Sequence, residues 1–364
     1  MEPRSSRTPS RQRRKWLRWT LIGALSVLAV VIGYAVYEGV TIYRALDNFS
    51  KDENDSRFRS VMDKTTETQS PPEWEGKERV NILLLGGDAR GLAEGQIARS
   101  DSMIVVSIDP VTKRAHLLSV LRDTWVDIPG HGKGRANTAI TIGGPNLAME
   151  TIGNLLGLDI HYYAYADFEG FKALVDAIGG VYFEVEKDMN YVDNADGNRY
   201  DIHLKKGYQL LDGDKALQYV RFRHDAMSDF TRTERQREFL KAVAKKLQST
   251  WNVVRMGQIL EKVEPYVETN MEVSDMLKLG QLGLKLHIAG SAQVPPMELL
   301  KDERVNGAAV LAIRDTEAVK AYVQEVLASD ETAKETDADA DGEPAGASSG
   351  PVTSKPAESA EPAA

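Results

Sequence analysis

Val80-Asn81-Ile82-Leu83-Leu84-Leu85-Gly86-Gly87-Asp88 is a short, nearly continuous apolar run that stops at two glycines and an acid. Length and composition predict a buried strand here. Residues 102–108 read as a second strand, halted by Asp109-Pro110, and residues 116–120 as a third. Residues 144–156 suit a helix. Phe168, Phe171, Leu174, Val175 and Ile178 fall at helical spacing, and Gly179-Gly180 closes that helix. Residues 181–185 return to strand, 213–220 read as helix, and 231–249 as a longer helix. The segment 250–328 continues with helical patterns and one strand-like stretch, 308–313. Alternating strands and helices predict an α/β (α+β mixed) class, with a central mixed β-sheet flanked by helices.

The ends of the 364-residue chain differ from this middle. Residues 1–18 carry seven basic side chains against one acid, Glu2, and residues 19–37 carry no charge. That second stretch is long enough for one N-terminal transmembrane helix, with Trp16, Trp19, Tyr34 and Tyr37 at its ends, where aromatic rings favour the interface. A cleaved signal peptide fits less well, because the apolar run is longer and passes into Tyr37-Glu38-Gly39-Val40. The basic residues before it predict a cytoplasmic N-terminus and an extracytoplasmic remainder at the cell membrane. There are no cysteines, hence no disulfides. Residues 38–74 read as a membrane-proximal spacer closed by Pro71-Pro72, residues 75–328 as one domain, and residues 329–364 as a disordered acidic tail too poor in apolar groups to fold.

The formal net charge is −9, yet residues 220–237 hold five arginines. Arginine favours planar, bidentate capture of phosphate oxygens. Arg221 and Arg223 are expected just past the 213–220 helix on extended backbone, where both would face one side. Thr231-Arg232-Thr233-Glu234 has the form of a capping box, which predicts a helix start at Thr231. Arg232, Arg235 and Gln236 then share a face, or simply belong to an exposed, salt-bridged helix. Phe239, Val243 and Leu247 would anchor that helix, and Arg237 is expected at the solvated surface. If the first two strands are neighbours, Asp88 and Asp101 meet on loops at one sheet edge. There they suit a hard divalent ion with phosphate oxygens, or else a turn after Gly87 and an Asp101–Arg99 pair. Arg122-Asp123 ends the third strand as a surface ion pair or as part of the same site. Gly130–Gly134 lacks the full phosphate-loop pattern and reads as a turn. No helix-turn-helix or zinc pattern supports nucleic-acid binding.

These motifs follow in a fixed order: Gly87-Asp88-Ala89-Arg90, Arg99-x-Asp101-x-Met103, Arg122-Asp123-Thr124, Arg135-x-Asn137-x-Ala139 and Asp167-Phe168-x-Gly170-Phe171. Then come Val175-Asp176-x-Ile178-Gly179-Gly180, Ala216-Leu217-x-Tyr219-Val220-Arg221-x-Arg223 and Asp229-Phe230-x-Arg232-Thr233-x-Arg235-Gln236. Taken together they resemble the LytR-CpsA-Psr (LCP) family of bacterial envelope proteins over roughly 75–328. Leu121 and Thr231 stand where the family commonly has proline and glycine.

The resemblance implies Mg²⁺-dependent (or Mn²⁺-dependent) phosphotransfer of a polyprenyl-pyrophosphate-linked glycopolymer, such as teichoic acid or capsule, to a peptidoglycan acceptor. On that reading Asp88 and Asp101 hold the metal. Arg99, Arg122, Arg135, Arg221, Arg223, Arg232, Arg235 and Gln236 grip pyrophosphate, and charge building on the leaving group is stabilised by fixed arginines and the metal. Asp229 accepts a proton or orients an arginine. The apolar faces of 168–178 and 239–247 offer a path for the lipid, or are ordinary core. Hydrolysis with water as acceptor, and non-catalytic sensing of an anionic lipid or polymer, are the competing readings.

Overall fold

The structure is a computed structural model that describes residues 11–51, 55–62, 70–88, 96–192, 198, 201–224 and 229–340, with side chains from 19 to 328. Arg90, the start of the basic N-terminus and the tail beyond 340 lie outside the described residues. In chain order, helix α1 (Arg11–Phe49) and the short α2 (Arg59–Met62) precede strands β1 (Val80–Gly87), β2 (Ser100–Asp109), β3 (Arg114–Val120), β4 (Thr124–Ile128) and β5 (Gly132–Arg135). Next come α3 (Ala139–Leu156), β6 (Tyr162–Asp167), α4 (Phe168–Ala177), β7 (Val181–Val185), β8 (Met189–Tyr191), β9 (Ile202–Leu204), β10 (Gly207–Leu211) and α5 (Gly213–Arg221). The remainder is α6 (Asp229–Leu247), α7 (Thr250–Val254), α8 (Met256–Val263), β11 (Val267–Thr269), α9 (Val273–Gly283), β12 (His287–Val294), β13 (Leu300–Val305), β14 (Ala308–Ile313) and α10 (Thr316–Ala340).

The main sheet is mixed, in the order β11-β6-β1-β2-β3-β12. The apolar run at 80–85 is its third strand, covered on both faces, which is why it shows no polar alternation. Leu83 and Leu85 join Met103, Val105, Leu118 and the helices α3 and α10 in one core. Val80 and Ile82 join Ile108, Tyr162 and Met271 in a core on the opposite face. A third core lies among α4, α5, α6, β7 and β10, around Val175, Leu217 and Phe239. β4, β5, β13 and β14 make a second, four-stranded sheet.

β1 pairs antiparallel with β2 (Leu84 opposite Ile104) and parallel with β6 (Leu84 opposite Ala164), while β2 pairs antiparallel with β3. Strand directions therefore bring the end of β1, the start of β2, the end of β3 and the end of β6 to one sheet edge. Asp88, Asp101, Arg122 and Asp167 all sit there.

Four expectations need correction. Residues 38–74 are not a bare spacer: Phe58 is 1% exposed within the main core, and Trp74 is buried in another. Glu268 fastens the same segment by accepting from the Ser56 hydroxyl and from the Arg57 backbone and side chain. The first part of the expected tail continues α10 as far as Ala340, which its Ala, Glu and Lys content favours. The long helix begins at Asp229, not Thr231, and the Thr233 hydroxyl donates back to the Phe230 carbonyl. Arg237 is not solvated: it is buried and donates to the Ser119 hydroxyl on β3.

Truncating a fully buried aromatic costs about 3–5 kcal/mol. Phe58→Ala should therefore destabilise the domain on that scale in chemical denaturation, an outcome that a detached spacer would not produce.

Candidate active site

The face of β1, β2 and β6 that carries Leu84, Ile104 and Ala164 does not pack directly on the helices opposite. A cavity of about 490 Å³ separates them. Its far wall comes from α4, α5, α6 and α8 through Phe171, Leu174, Leu217, Leu240 and Val263. This wall is apolar because these helices turn ordinary core stripes inward and the sheet does not reach them. Phe168, Phe171, Leu174 and Leu240 line the space, whereas Phe239 and Val243 lie in the packed core. The two apolar faces therefore divide between cavity wall and packed core.

The polar lining includes the aspartates Asp88, Asp101 and Asp167, the arginines Arg221, Arg223 and Arg232, and Ser102, His224 and Gln236. Arg221 is the last residue of α5 rather than part of an extended segment. The chain turns extended at Phe222, so Arg223 also reaches the cavity. The Arg221 guanidinium lies 5.1 Å from the centre of the Phe168 ring. Arg232 is 3% exposed. Its Nη2 is 2.9 Å from Asp229 Oδ1, an ion pair without hydrogen-bond alignment, and its Nε has no hydrogen-bond partner. Arg223 Nε approaches the same Asp229 oxygen at 3.5 Å. One carboxylate oxygen therefore serves one buried and one half-buried guanidinium group, a geometry suited to an orienting residue.

Burial, then repulsion from Arg232 and Arg122, pushes Arg223 down to about 10 against the pull of Asp229 and Asp101. Arg232 is likewise lowered, by burial first, with Asp229 opposing. For a base, a depressed value means that the protonated form is destabilised by folding. That cost is fully present at every pH below about 10 and is relieved only as the group deprotonates above it. An anion in the cavity relieves it at neutral pH.

The other expected residues stand behind this group. Arg122 donates to Asp101 Oδ1 at 2.7 Å and does not itself line the cavity. Burial works against its charge, but the bond to Asp101 and the nearby carboxylates outweigh burial and raise it. Arg122 also approaches Asp123 at 3.4 Å, and Asp123 meets Arg135 at 3.2 Å. Asp101, Arg122, Asp123 and Arg135 thus form a chain of alternating charge leading away from the cavity. Asp101 lies within β2 rather than on a loop. Arg99 is exposed and outside the lining, and no Asp101–Arg99 pair is needed, since Arg122 takes that place.

Arg235 does not share the cavity face with Arg232. Its Nε donates to Glu186 Oε1 at 2.6 Å and its Nη1 to the Phe222 carbonyl at 3.0 Å. Gln236 does reach the cavity; its Oε1 accepts from the Ser102 hydroxyl at 2.9 Å, and its Nε2 donates to the Val220 carbonyl at 3.3 Å. Arg235 and Gln236 therefore brace the backbone on either side of Arg221. Glu186, just past β7, completes the brace by also accepting from the Tyr219 hydroxyl at 3.1 Å. No local motif marks Glu186; only the fold brings it to Arg235. At Gly87 any side chain would strike the Tyr165 hydroxyl, so the bare backbone there lets the end of β1 pass close to that ring.

Asp88 and Asp101 are the carboxylates placed to hold a metal. No group of three His, Cys, Asp or Glu able to bind an ion exists among the described residues. Two hard oxygen donors with the remaining positions left to phosphate and water fit the habit of Mg²⁺.

The family model described as the LytR_cpsA_psr family matches residues 39–325. Regulatory protein MsrR of Staphylococcus aureus is 34% identical over 273 residues, covering 72% of this chain and 79% of that protein. A protein of Oceanobacillus iheyensis, polyisoprenyl-teichoic acid–peptidoglycan teichoic acid transferase TagU, is 32% identical over 331 residues, covering 87% and 95%. Among solved structures, YwtF (TagT) with bound octaprenyl pyrophosphate lipid superimposes with a TM-score of 0.55 at 26% identity, covering 72% of this chain and 95% of that one.

Losing a hydrogen bond to a charged group costs about 1.5–3 kcal/mol, less at a half-exposed carboxylate. Glu186→Ala should lower the unfolding free energy by roughly 1–2 kcal/mol in denaturant titration. Glu186→Gln, whose single amide oxygen keeps the acceptor contact to Arg235 while its NH2 faces Tyr219, should lose less.

Proposed function

Because the chain belongs to the LytR_cpsA_psr family, we propose that it is a membrane-anchored transferase that moves a glycopolymer from a polyprenyl-pyrophosphate carrier onto peptidoglycan. One observation carries this reading at the site. A single cavity joins three arginines, two of which share one Asp229 oxygen, to a long apolar wall. Pyrophosphate with a polyprenyl tail has the complementary polarity. Each buried methylene of such a tail contributes about 0.8 kcal/mol, while the headgroup offers Arg223 and Arg232 further acceptors beside the one they share.

In the proposed reaction an acceptor hydroxyl forms a bond to the sugar-side phosphorus. The bond from that phosphorus to the bridging oxygen breaks, polyprenyl phosphate leaves with the electron pair, and the acceptor hydroxyl's proton passes to that leaving phosphate or to water. Arg221, Arg223 and Arg232 hold the phosphate oxygens, and their fixed positions avoid reorganisation as charge shifts to the leaving oxygen. Asp229 keeps Arg223 and Arg232 in place. Arg122 holds Asp101 at the sheet edge, and Arg235, Gln236 and Glu186 hold the backbone from which Arg221 and Arg223 project. Asp88 and Asp101 would hold Mg²⁺ or Mn²⁺, which when bound neutralises phosphate charge. The reading places the apolar helix α1 across the cell membrane, with the basic N-terminus cytoplasmic and the domain outside. Within it, residues 19–49 are long and apolar enough to span.

Arg223→Ala and Arg232→Ala should each lower transfer of polymer from lipid-linked donor to peptidoglycan by about 10²-fold, the scale of deleting one transition-state donor. Near wild-type transfer by both would sink their assignment. The released lipid tests the bond cleaved: polyprenyl phosphate agrees with phosphotransfer, polyprenyl pyrophosphate does not. Lipid turnover indifferent to added peptidoglycan would mark a hydrolase. Tight lipid binding without turnover would mark a sensor.

Chelation by EDTA should abolish transfer, and Mg²⁺ should restore it. Asp101→Asn should require more Mg²⁺ for the same restoration, measured as a rightward shift of the metal titration. An unshifted curve removes Asp101 from the metal site.

A further inference from the structure

α7 is a helix of five residues whose outer side carries Trp251, 67% exposed, and Val254, 48% exposed. The two are three residues apart and share a face. Between them Asn252 is buried and donates to the carbonyls of Ile178 and Lys246, so α7 is fixed to the domain and its apolar side chains are held outward. Arg255 follows directly, its guanidinium 5.4 Å from the centre of the Trp251 ring. Exposed Lys245 ends α6 close by.

This corner is fastened to α1. The Tyr34 hydroxyl sits between Glu38 Oε1 at 2.9 Å and the Val254 carbonyl at 3.3 Å. Glu38 Oε2 accepts from the Gly257 backbone N–H at 3.1 Å, which caps the start of α8. A Cβ at Gly257 would lie 2.5 Å from that carboxylate oxygen, so the close approach requires glycine. The charge-free stretch of α1 ends at Tyr37. At about 1.5 Å of rise per residue, Tyr34 lies roughly 5 Å inside that end.

We propose that the α7 corner, Trp251 to Arg255, rests in the interfacial layer of the membrane crossed by α1, as a second contact between domain and bilayer. The proposal rests on α1 spanning the membrane. Its depth follows from the hydrogen bond at Tyr34, which holds Val254 level with the last turn of the apolar stretch. The residue chemistry agrees: tryptophan and tyrosine prefer this layer, arginine can extend its charge to the headgroups while its stem stays apolar, and Lys245 and Arg255 favour anionic lipid. A folded protein partner is the weaker occupant. Two large apolar side chains fall well short of the roughly 800 Å² per partner that a stable interface buries. A bilayer needs no such area.

The chain has no cysteine, so single-cysteine variants of the full chain can carry one nitroxide each. Trp251→Cys, Val254→Cys, Ile32→Cys in the span and Val111→Cys at the exposed β2–β3 turn would be reconstituted in phosphatidylcholine–phosphatidylglycerol vesicles. Collisions with oxygen, which enters the bilayer, and with a water-soluble nickel chelate would be compared. The expected result is that labels at 251 and 254 gain oxygen and lose nickel accessibility relative to 111, by less than the label at 32. Labels at 251 and 254 that match 111 while 32 is lipid-embedded overturn the proposal and leave the anchor intact. A label at 32 that matches 111 overturns the anchor and the proposal together. Shielding from both reagents with spin–spin broadening would show a second copy covering the corner, and also overturns it.

Discussion

A guanidinium buried to 3% exposure with one carboxylate oxygen beside it, shared with a second guanidinium, is the constraint around which this domain is arranged. Arg232 cannot be moved to solvent without turning α6, and α6 cannot turn because Phe239 and Val243, on the same side two and three turns further on, are locked into a core with Val175 and Leu217. Removing one partner of a buried charge pair typically costs 3–5 kcal/mol, because the remaining charge is stranded. Here part of that cost is carried in the folded state, as the lowered values of Arg223 and Arg232 indicate.

The sheet explains why the acids answer the arginines. β1, β3 and β6 run one way and β2 the other, so that the ends of three strands and the start of the fourth fall at one edge. Asp101 reaches the cavity from β2, and Arg122 reaches Asp101 from the end of β3, two strands joined through the Met103–Val120 register. Asp123 and Arg135 extend the same alternation into the second sheet. Distance from the cavity then sorts the basic residues: Arg221, Arg223 and Arg232 line it, and Arg122, Arg135 and Arg235 stand behind the lining.

Much of this was legible in the sequence, for definite physical reasons. The run 80–85 is apolar on both faces because both faces are covered, and periodicity reported it. The clustered arginines stood out against a negative chain. What stayed hidden depended on tertiary contact. Phe58 sits in a polar stretch that lacks the period of a helix or strand, so its burial in the core has no local signature. Arg235 and Arg237 are spaced like their neighbours, and only Glu186 and Ser119, far away in sequence, decide that one braces backbone and the other is buried. The capping-box pattern points to Thr231, yet α6 runs from Asp229, two residues earlier, where the carboxylate meets two arginines.

The polarity of the cavity and the position of α1 bear on each other. Val263 and Val267, on α8 and β11, form part of the apolar wall, and these are elements against which α1 packs. Glu38 caps α8 from α1, and Ser50 bridges to Thr269 on β11. The helix suited to the membrane is therefore built into the wall suited to a lipid tail, not tethered to it by a spacer. A tail lying against that wall stays close to the bilayer it came from, while the pyrophosphate meets arginines fixed by the sheet edge. This coupling gives a reason for residues 38–74 to be folded into the domain: a loose tether would let the cavity tumble away from its substrate's membrane, and the buried contacts of Glu38, Phe58 and Glu268 hold it there.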